Sequence, residues 1–246
     1  HKVRSINFRP IEDEIEKEVK TVKAAKTLHK VIKDNLDDFN ISFFGSGDFH
    51  HLTLFILQNL KEDFYLVMYD HHYDIGSMRW KHTADSEYHF GAWMYSAIQM
   101  ENCKGVLLVG PPTWWITNWL QHVPYLKKNF NLKVIGEKVK DKFTPYNQYV
   151  NEIPKDCKIY ITVDKDVMHR DELTTDWDPG RLMIIELFEM LKILQDKFGN
   201  RIRGVDVCGD PRHQYMLDES KMDQIYTDHK IFNQRIIKFF DKYLGE

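Results

Sequence analysis

The sequence lacks the cysteine pattern of a disulfide-bonded protein or of a thiolate zinc site. Three cysteines occur in 246 residues, at Cys103, Cys157 and Cys208, and no two of them have Cys-x-x-Cys spacing. An odd number of widely spaced cysteines argues against a disulfide framework and against a zinc site built from thiolates. We therefore expect a reducing compartment, the cytoplasm.

Long apolar runs and an excess of one charge are also missing. No apolar run approaches the ~20 residues that span a bilayer, and the N-terminal segment is charged where a signal peptide would be apolar. The 34 basic and 37 acidic residues nearly cancel, so there is no basic stripe for a phosphate backbone. We expect neither a membrane nor a nucleic acid as a partner.

Three common catalytic and nucleotide-binding motifs are absent. The sequence contains no G-x-S-x-G, no G-x-x-x-x-G-K-[ST] and no G-x-G-x-x-G. These absences argue against a serine nucleophile on a strand-to-helix turn, a P-loop and a dinucleotide-binding turn.

Short apolar runs that alternate with amphipathic stretches are the main feature that is present. With 43% hydrophobic residues, the chain can form one core, and we predict a single domain over residues 1–246. The apolar runs are rich in β-branched and aromatic residues and lack proline, which predicts buried strands. They lie at 41–46, 64–70, 105–110, 132–137, 158–164 and 202–209. This alternation predicts an α/β fold, a three-layer α/β/α structure with a mainly parallel sheet.

Two segments have the periodicity of surface helices. Residues 11–36 are rich in Glu and Lys with apolar side chains at roughly helical intervals, and residues 181–197 have an acidic face opposite an apolar face. Asp178 and Pro179 predict the start of the second helix, with Asp178 as its N-cap.

Two strand ends carry acids and a histidine at alternate positions. In extended backbone alternate side chains share a face, so Asp70, His72 and Asp74 can converge. Asp164 and Asp166 share a face in the same way at the end of the run 158–164. Carboxylates brought together at a buried strand end repel one another unless a cation lies among them.

Each motif alone has an ordinary structural explanation, because a single Asp-x-Asp at a strand end is usually a solvated loop or a helix cap. Here the two motifs occur together, and a third strand runs into the segment Gly47, Asp48, Phe49, His50, His51. Open α/β sheets bind ligands beyond the carboxyl ends of their strands. The joint occurrence therefore favours a metal centre at that edge.

The predicted ligands are mostly carboxylates with about two imidazoles, a set that favours Mn²⁺ before Zn²⁺ or Fe²⁺. Two ions about 3.5–4 Å apart could share a hydroxide at neutral pH, because bound metals lower the pKa of water. That hydroxide would be the nucleophile of a hydrolase.

The motif order resembles a known family. Gly-Asp-x-His, then Asp-x-His-x-Asp, then Asp-x-Asp, each after a strand, is similar to the arginase/agmatinase/formimidoylglutamase superfamily of ureohydrolases over roughly residues 41–210. The resemblance implies two divalent ions, and the residues that match the family's metal ligands are Asp70, His72, Asp74, Asp164 and Asp166. The family places its remaining histidine ligand directly after Gly-Asp, whereas here Phe49 intervenes. The resemblance favours His50, with His51 as the alternative.

The resemblance also implies catalytic residues. The family's proton-shuttle histidine is matched by His89 or by His82, and the acid that grips a guanidinium or amidinium is matched by Asp210, one residue later than the family pattern. We predict Asp74, His89 and Asp210 as catalytic residues. The family's Asp-Pro soon follows its Asp-x-Asp, but here Asp178 comes later, so the loop 167–178 is enlarged and leaves the specificity open.

The resemblance implies hydrolysis of a C–N bond in a small cationic guanidino or amidino compound. One alternative is a deacetylase-like amidohydrolase with a single zinc ion. The other is a non-catalytic metal-binding protein whose enlarged loop closes the pocket. Trp114 and Trp115 are candidates for a wall of the site, although core packing or a homo-oligomer contact is the commoner role of such residues.

Overall fold

One parallel sheet organises the computed structural model, which describes residues 12–17, 19–35, 40–76, 88–112, 128–212 and 219–243. All five pairs of neighbouring strands run parallel, in the order β1-β6-β5-β2-β3-β4. The six strands are β1 Asn40–Gly45, β2 Phe64–Tyr69, β3 Cys103–Val109, β4 Leu132–Ile135, β5 Lys158–Asp164 and β6 Ile202–Cys208.

Helices cover both faces of this sheet. On one face lie Glu12–Ile15, Val22–Asn35, Leu52–Leu57 and Trp93–Ile98. On the other face lie Phe143–Glu152, Ile184–Phe198 and Met222–Phe240. The predicted three-layer α/β fold is confirmed. None of the helices in the described ranges combines the length and apolar character that a membrane crossing requires.

The strand β2 shows why the sheet has to be covered twice. All six of its residues are buried. Alternate side chains pack into different cores: Tyr65 and Val67 face the helices that follow β4, whereas Leu66 and Met68 face the N-terminal helices. A strand that is apolar on both faces is stable only between two helical layers.

The chain reverses its direction of travel across the sheet between β2 and β5. From β2 it proceeds outward through β3 to β4, and then it returns to β5 on the other side of β2. A crevice opens at the carboxyl ends of two such strands because their following segments diverge. The Asp-x-His-x-Asp motif follows β2 and the Asp-x-Asp motif follows β5, so both acid motifs lie at this crevice.

The predicted start of the helix at residues 181–197 is wrong. The helix begins at Ile184, not near Asp178. Gly180 N donates to Asp166 O at 2.6 Å and Leu182 N donates to Val167 O at 3.0 Å. Gly180 and Leu182 thus pair with the turn after β5 and do not form the first turn of a helix.

Candidate metal centre

His50 reaches the carboxyl edge of the sheet from the segment that follows β1. A short 3-10 turn, Gly47–Phe49, is capped by the Ser46 hydroxyl, which accepts a hydrogen bond from Asp48 N at 3.2 Å. His50 ends that turn and is buried. The imidazole therefore points into the crevice and not into solvent.

Three carboxylates surround one nitrogen of this imidazole. His50 Nδ1 lies 3.2 Å from Asp70 Oδ2, 3.2 Å from Asp74 Oδ2 and 3.5 Å from Asp164 Oδ2. The three oxygens come from the ends of two different strands, β2 and β5, which the parallel pairing holds side by side. His51, the alternative ligand, belongs to none of the groups of potential metal ligands in the described residues.

A second group forms around His72. His72 Nδ1 lies 2.8 Å from Asp166 Oδ2 and 3.6 Å from Asp70 Oδ1. The backbone amide of His71 donates to Asp166 Oδ1 at 3.1 Å, which fixes this carboxylate. Asp70 thus contributes one oxygen to each group, so the two groups are adjacent.

Asp74 reaches the first group through an unusual backbone conformation. Its φ is +46°, in the left-handed region that non-glycine residues rarely adopt. Its backbone carbonyl accepts from Met94 N at 3.0 Å, and Trp93 Nε1 donates to its Oδ2 at 2.7 Å. The helix Trp93–Ile98 therefore holds Asp74, a partner that the sequence motif did not reveal.

A hydrogen-bonded chain fixes the other side of His50. Thr162 Oγ1 donates to Asp206 Oδ1 at 2.5 Å and lies 2.9 Å from His50 Nε2. Because the Thr162 hydroxyl donates its proton to Asp206, its oxygen can accept a hydrogen bond from Nε2–H of His50. Burial raises the pKa of the Asp206 carboxyl to about 6.

The surroundings of His50 Nδ1 show whether a cation fits the site. His50 Nδ1 faces three carboxylate oxygens. Burial opposes a charge on His50, but its anionic neighbours outweigh burial and raise the pKa of His50 well above its usual range, so a proton or a cation has to lie between Nδ1 and the acids. A metal-ligating histidine typically donates its other N–H, as His50 Nε2 can to Thr162 Oγ1. The donor set therefore fits a cation between His50 and the acids.

The pKa values of the buried acids and of His72 also indicate that the cluster needs positive charge. Burial raises the pKa of Asp164 well above its usual range and that of Asp74 to about 6. Burial opposes the charge of His72, but the carboxylates of Asp166 and Asp70 outweigh it and raise the pKa of His72 to about 12. Without a metal ion, protons have to supply the positive charge that this cluster needs.

Cys208 lies in the cluster although sequence reasoning did not place it there. It ends β6, and its Sγ lies 3.2 Å from Asp164 Oδ2. His50, Asp164 and Cys208 form a third group whose potential ligand atoms all lie within 4.8 Å of one another. The parallel register that puts Cys208 opposite Asp164 is the signal that could have found it.

Asp210, predicted to grip the substrate, is already paired in the structure. It forms an ion pair with Lys165, the central residue of the Asp-x-Asp motif, and its Oδ1 lies 3.1 Å from His229 Nδ1. The position where the family pattern has its acid is occupied by Gly209, at φ +92°. A Cβ there would lie 2.5 Å from Asp164 Oδ1, so no side chain fits. The substrate role of Asp210 stays a prediction.

His89 lies at the start of the segment that leads into the helix Trp93–Ile98. Its Nδ1 accepts from Gly91 N at 3.1 Å, and its ring lies 4.4 Å from the Phe90 ring. Burial lowers its pKa to about 4, below the range that suits proton transfer at neutral pH. Its predicted shuttle role stays a prediction. The alternative, His82, lies outside the described residues, as do Trp114 and Trp115.

The enlarged loop 167–178 packs against the cluster. Backbone bridges join Met168 to Leu182 and His169 to Gly180 at its base. Near its end, the Trp177 ring lies 5.9 Å from the His72 ring and 5.1 Å from the Phe90 ring. The loop thus gives the site an aromatic wall, which the sequence motifs did not predict.

Fold and side chains together define a class, a three-layer α/β protein with a histidine and carboxylate cluster at the carboxyl edge of its parallel sheet. Three solved structures show which fold this is. Helicobacter pylori arginase superposes with a TM-score of 0.62 at 14% identity, over 86% of this chain and 76% of that chain. The formimidoylglutamase of Bacillus subtilis gives 0.63 at 18%, over 89% and 68%. The proclavaminate amidino hydrolase of Streptomyces clavuligerus gives 0.62 at 17%, over 87% and 68%.

The chain has the fold of the ureohydrolase superfamily, and the resemblance predicted from the sequence is confirmed at the level of the fold. No family model matches the chain. A Thermotoga maritima protein described as uncharacterized is 28% identical over 198 residues, which is 80% of this chain and 69% of that one. Likeness at these identities establishes the fold alone.

Proposed function

We propose that this protein is a metal-dependent hydrolase that cleaves a C–N bond in a guanidino or amidino compound with the help of two divalent cations. The observation that carries the proposal is the pair of adjacent ligand groups that share Asp70. One group is His50, Asp70 and Asp74, and the other is Asp70, His72 and Asp166.

The residues that would hold the cations are set by these groups. His50, Asp74 and Asp164 would hold one cation, His72 and Asp166 would hold the other, and Asp70 lies within reach of both groups. The dominance of carboxylate oxygen favours a hard or borderline ion such as Mn²⁺. When bound, such cations supply Lewis acidity and lower the pKa of a water molecule.

The chain itself orients the ligands. The Thr162 and Asp206 pair holds the His50 ring, and Trp93 holds Asp74 by a hydrogen bond of 2.7 Å. Partners of this kind fix ligand orientation and typically change metal affinity by about 10–100-fold. Trp177 and Phe90 cover one side of the cluster with aromatic rings and so limit access of water.

The substrate is a planar cation in this proposal, and Asp210 is its candidate contact. Its side chain is 31% exposed, so one part of the carboxylate can reach a ligand. Lys165 and His229 already share its charge. We therefore expect Asp210 to contribute orientation through a charge-assisted hydrogen bond more than net attraction.

The test combines metal content with a substrate panel. Metal-loaded protein is incubated with guanidino, amidino, formimino and acetylated-amine compounds, and urea, ammonia and acetate are measured. We expect about two ions per chain and urea or ammonia as product. Asp70→Asn should lose metal and activity. Asp63→Asn, a matched change on a half-exposed acid that pairs with Lys104, should keep both.

Three outcomes would contradict the proposal. One tightly held zinc ion with acetate as product would favour the deacetylase-like alternative. Two bound ions without turnover of any compound would favour a non-catalytic metal-binding protein. Full activity of Asp70→Asn would remove the shared ligand on which the two-cation arrangement depends.

A further inference from the structure

Cys208 lies beside the predicted metal ligands, although the proposed hydrolysis does not require a thiol there. It is 1% exposed and lies at the end of β6, directly opposite Asp164 in the parallel register. The other described cysteines are remote from the cluster: Cys157 precedes β5, and Cys103 begins β3, both at the opposite edge of the sheet. Only one thiol among the described residues is therefore placed beside the predicted ligands.

The backbone after Cys208 permits this close approach. Gly209, in the left-handed region, lets the chain pass so near to β5 that a Cβ at this position would be 2.8 Å from Lys165 N. Cys208 is thereby drawn to within 3.2 Å of Asp164 Oδ2. The parallel register also favours the contact, because it pairs Cys208 with Asp164 and so places both side chains on the same face of the sheet.

The space in front of Cys208 is lined by acids and needs positive charge. His50 Nδ1 lies 3.2 Å from Asp70 Oδ2, 3.2 Å from Asp74 Oδ2 and 3.5 Å from Asp164 Oδ2. Asp70 Oδ2 is buried and accepts no hydrogen bond from the described residues. The Cys208 thiol can donate a hydrogen bond to one acceptor, Asp164 Oδ2, but not to the facing oxygens of Asp70 and Asp74 as well.

We propose that Cys208 is a thiolate ligand, together with Asp164, of the cation on the His50 side. The inference rests on the proposed metal centre and adds a ligand to it. As the sulfur–metal bond forms, the S–H bond breaks and the proton leaves to solvent, because a coordinating thiol is deprotonated. The His50 side then offers nitrogen, oxygen and sulfur, whereas the His72 side stays oxygen-rich.

This asymmetry predicts different metal preferences for the two positions. Thiolate selects softer ions, so the His50 side should prefer Zn²⁺ or Co²⁺ over Mn²⁺, and the His72 side should remain suited to Mn²⁺. A chain supplied with both kinds of ion should therefore bind a mixed pair.

Cobalt substitution tests the proposal without any assay of activity. The full chain is stripped of metal by a chelator and loaded with Co²⁺, and the near-ultraviolet absorption is recorded beside the cobalt content. We expect a thiolate-to-cobalt charge-transfer band in the native sequence. Cys208→Ser should lose the band, and Cys157→Ser, a change of another buried cysteine, should keep it.

A competition experiment gives a second readout. With equal Zn²⁺ and Mn²⁺, Cys208→Ser should lower the affinity for zinc about tenfold or more and leave manganese binding nearly unchanged. If Cys208→Ser does not fold, Cys208→Ala and the spectrum of the native sequence carry the test.

The possible failures are distinguishable. Cobalt that binds without a charge-transfer band would show that the thiol only donates a hydrogen bond to Asp164, and it would overturn this inference while leaving the metal centre. A chain that binds no cobalt, zinc or manganese would overturn the inference and the proposed function together.

Discussion

At the scale of single residues, the two neighbouring histidines have opposite surroundings. His50 Nδ1 faces carboxylates, whereas burial lowers the pKa of His51 to about 3 and makes it a neutral residue of the interior at neutral pH. A turn that ends at His50 sends successive side chains in different directions. The His50 side chain lies in the candidate site, and the His51 side chain packs in the protein interior.

The first prediction separates these roles by parallel substitution. His50→Ala should lose at least one of the bound ions, because it removes a ligand. His51→Ala should keep the ions and lower the free energy of unfolding by about 1–3 kcal/mol, the usual range for a buried site. Elemental analysis and urea unfolding measure the two effects. Loss of metal in His51→Ala alone would show that the ligand has been assigned to the wrong histidine.

The second prediction concerns the Thr162 hydroxyl, which joins His50 to Asp206. Thr162→Val keeps the side-chain shape but removes the acceptor for His50 Nε2–H, so metal affinity should fall about 10–100-fold. Thr162→Ser keeps the hydroxyl and should retain most of the affinity. Isothermal titration with Zn²⁺ or Mn²⁺ compares the two variants. Equal affinity in both would mean that the ring is oriented by other contacts.

At the scale of secondary-structure elements, the turns after β5 and β6 are joined by side chains. Lys165 is almost fully buried and pairs with Asp210, and its ammonium lies 5.5 Å from the centre of the Phe232 ring. This ion pair connects the predicted metal-binding turn after β5 to the loop after β6. Removing Asp210 would leave the buried ammonium of Lys165 without its carboxylate partner, so these two turns should behave as one unit.

The third prediction concerns the start of the helix Ile184–Phe198. Glu186 Oε2 accepts from Met183 N at 2.9 Å, and its carboxylate also pairs with Lys142. Glu186→Ala should therefore lower the free energy of unfolding by about 1 kcal/mol. Asp178→Ala should change it by less than about 0.5 kcal/mol, because this exposed residue caps no helix. Both variants should keep their metal, and chemical unfolding with elemental analysis checks this. A larger cost for Asp178→Ala would contradict the observed helix start.

At the scale of the whole molecule, stability and metal binding are linked. A cation that binds the folded chain and not the unfolded chain stabilises the fold, by about 2.7 kcal/mol when its free concentration is 100 times the dissociation constant. The buried acids of the cluster make this link sensitive to pH, since protons and metal compete for the same groups.

The fourth prediction follows from His72. Its pKa in the metal-free fold is about 12, against about 6.5 in an unfolded chain. Protonated His72 stabilises the metal-free fold. This stabilisation is present in full below about pH 6.5 and is lost as pH rises toward 12, so the free energy of unfolding of the metal-free protein should fall between about pH 7 and 9. Metal has to displace the same proton, so its affinity should rise over that window. The difference in thermal midpoint with and without metal should widen with pH, and the widening should shrink in His72→Ala. A constant difference would contradict the linkage.

Local patterns in the sequence determined the elements and most of the candidate ligands. The apolar runs predicted all six strands to within two residues at either end, because a strand buried on both faces has to be continuously apolar. Asp70, His72, Asp164 and Asp166 could be proposed because the alternation of side chains is a property of the strand itself. A single-domain chain and the predicted substrate charge stay predictions.

Only the tertiary structure decided what lies beside those ligands. Cys208 and Thr162 enter the site because β5 pairs with β6 in one register, and Trp93 enters because its helix packs beside the segment after β2. The pairing of Asp210 with Lys165 likewise joins residues 45 positions apart. Strand order and register depend on the packing of the whole chain, and no short segment carries that information.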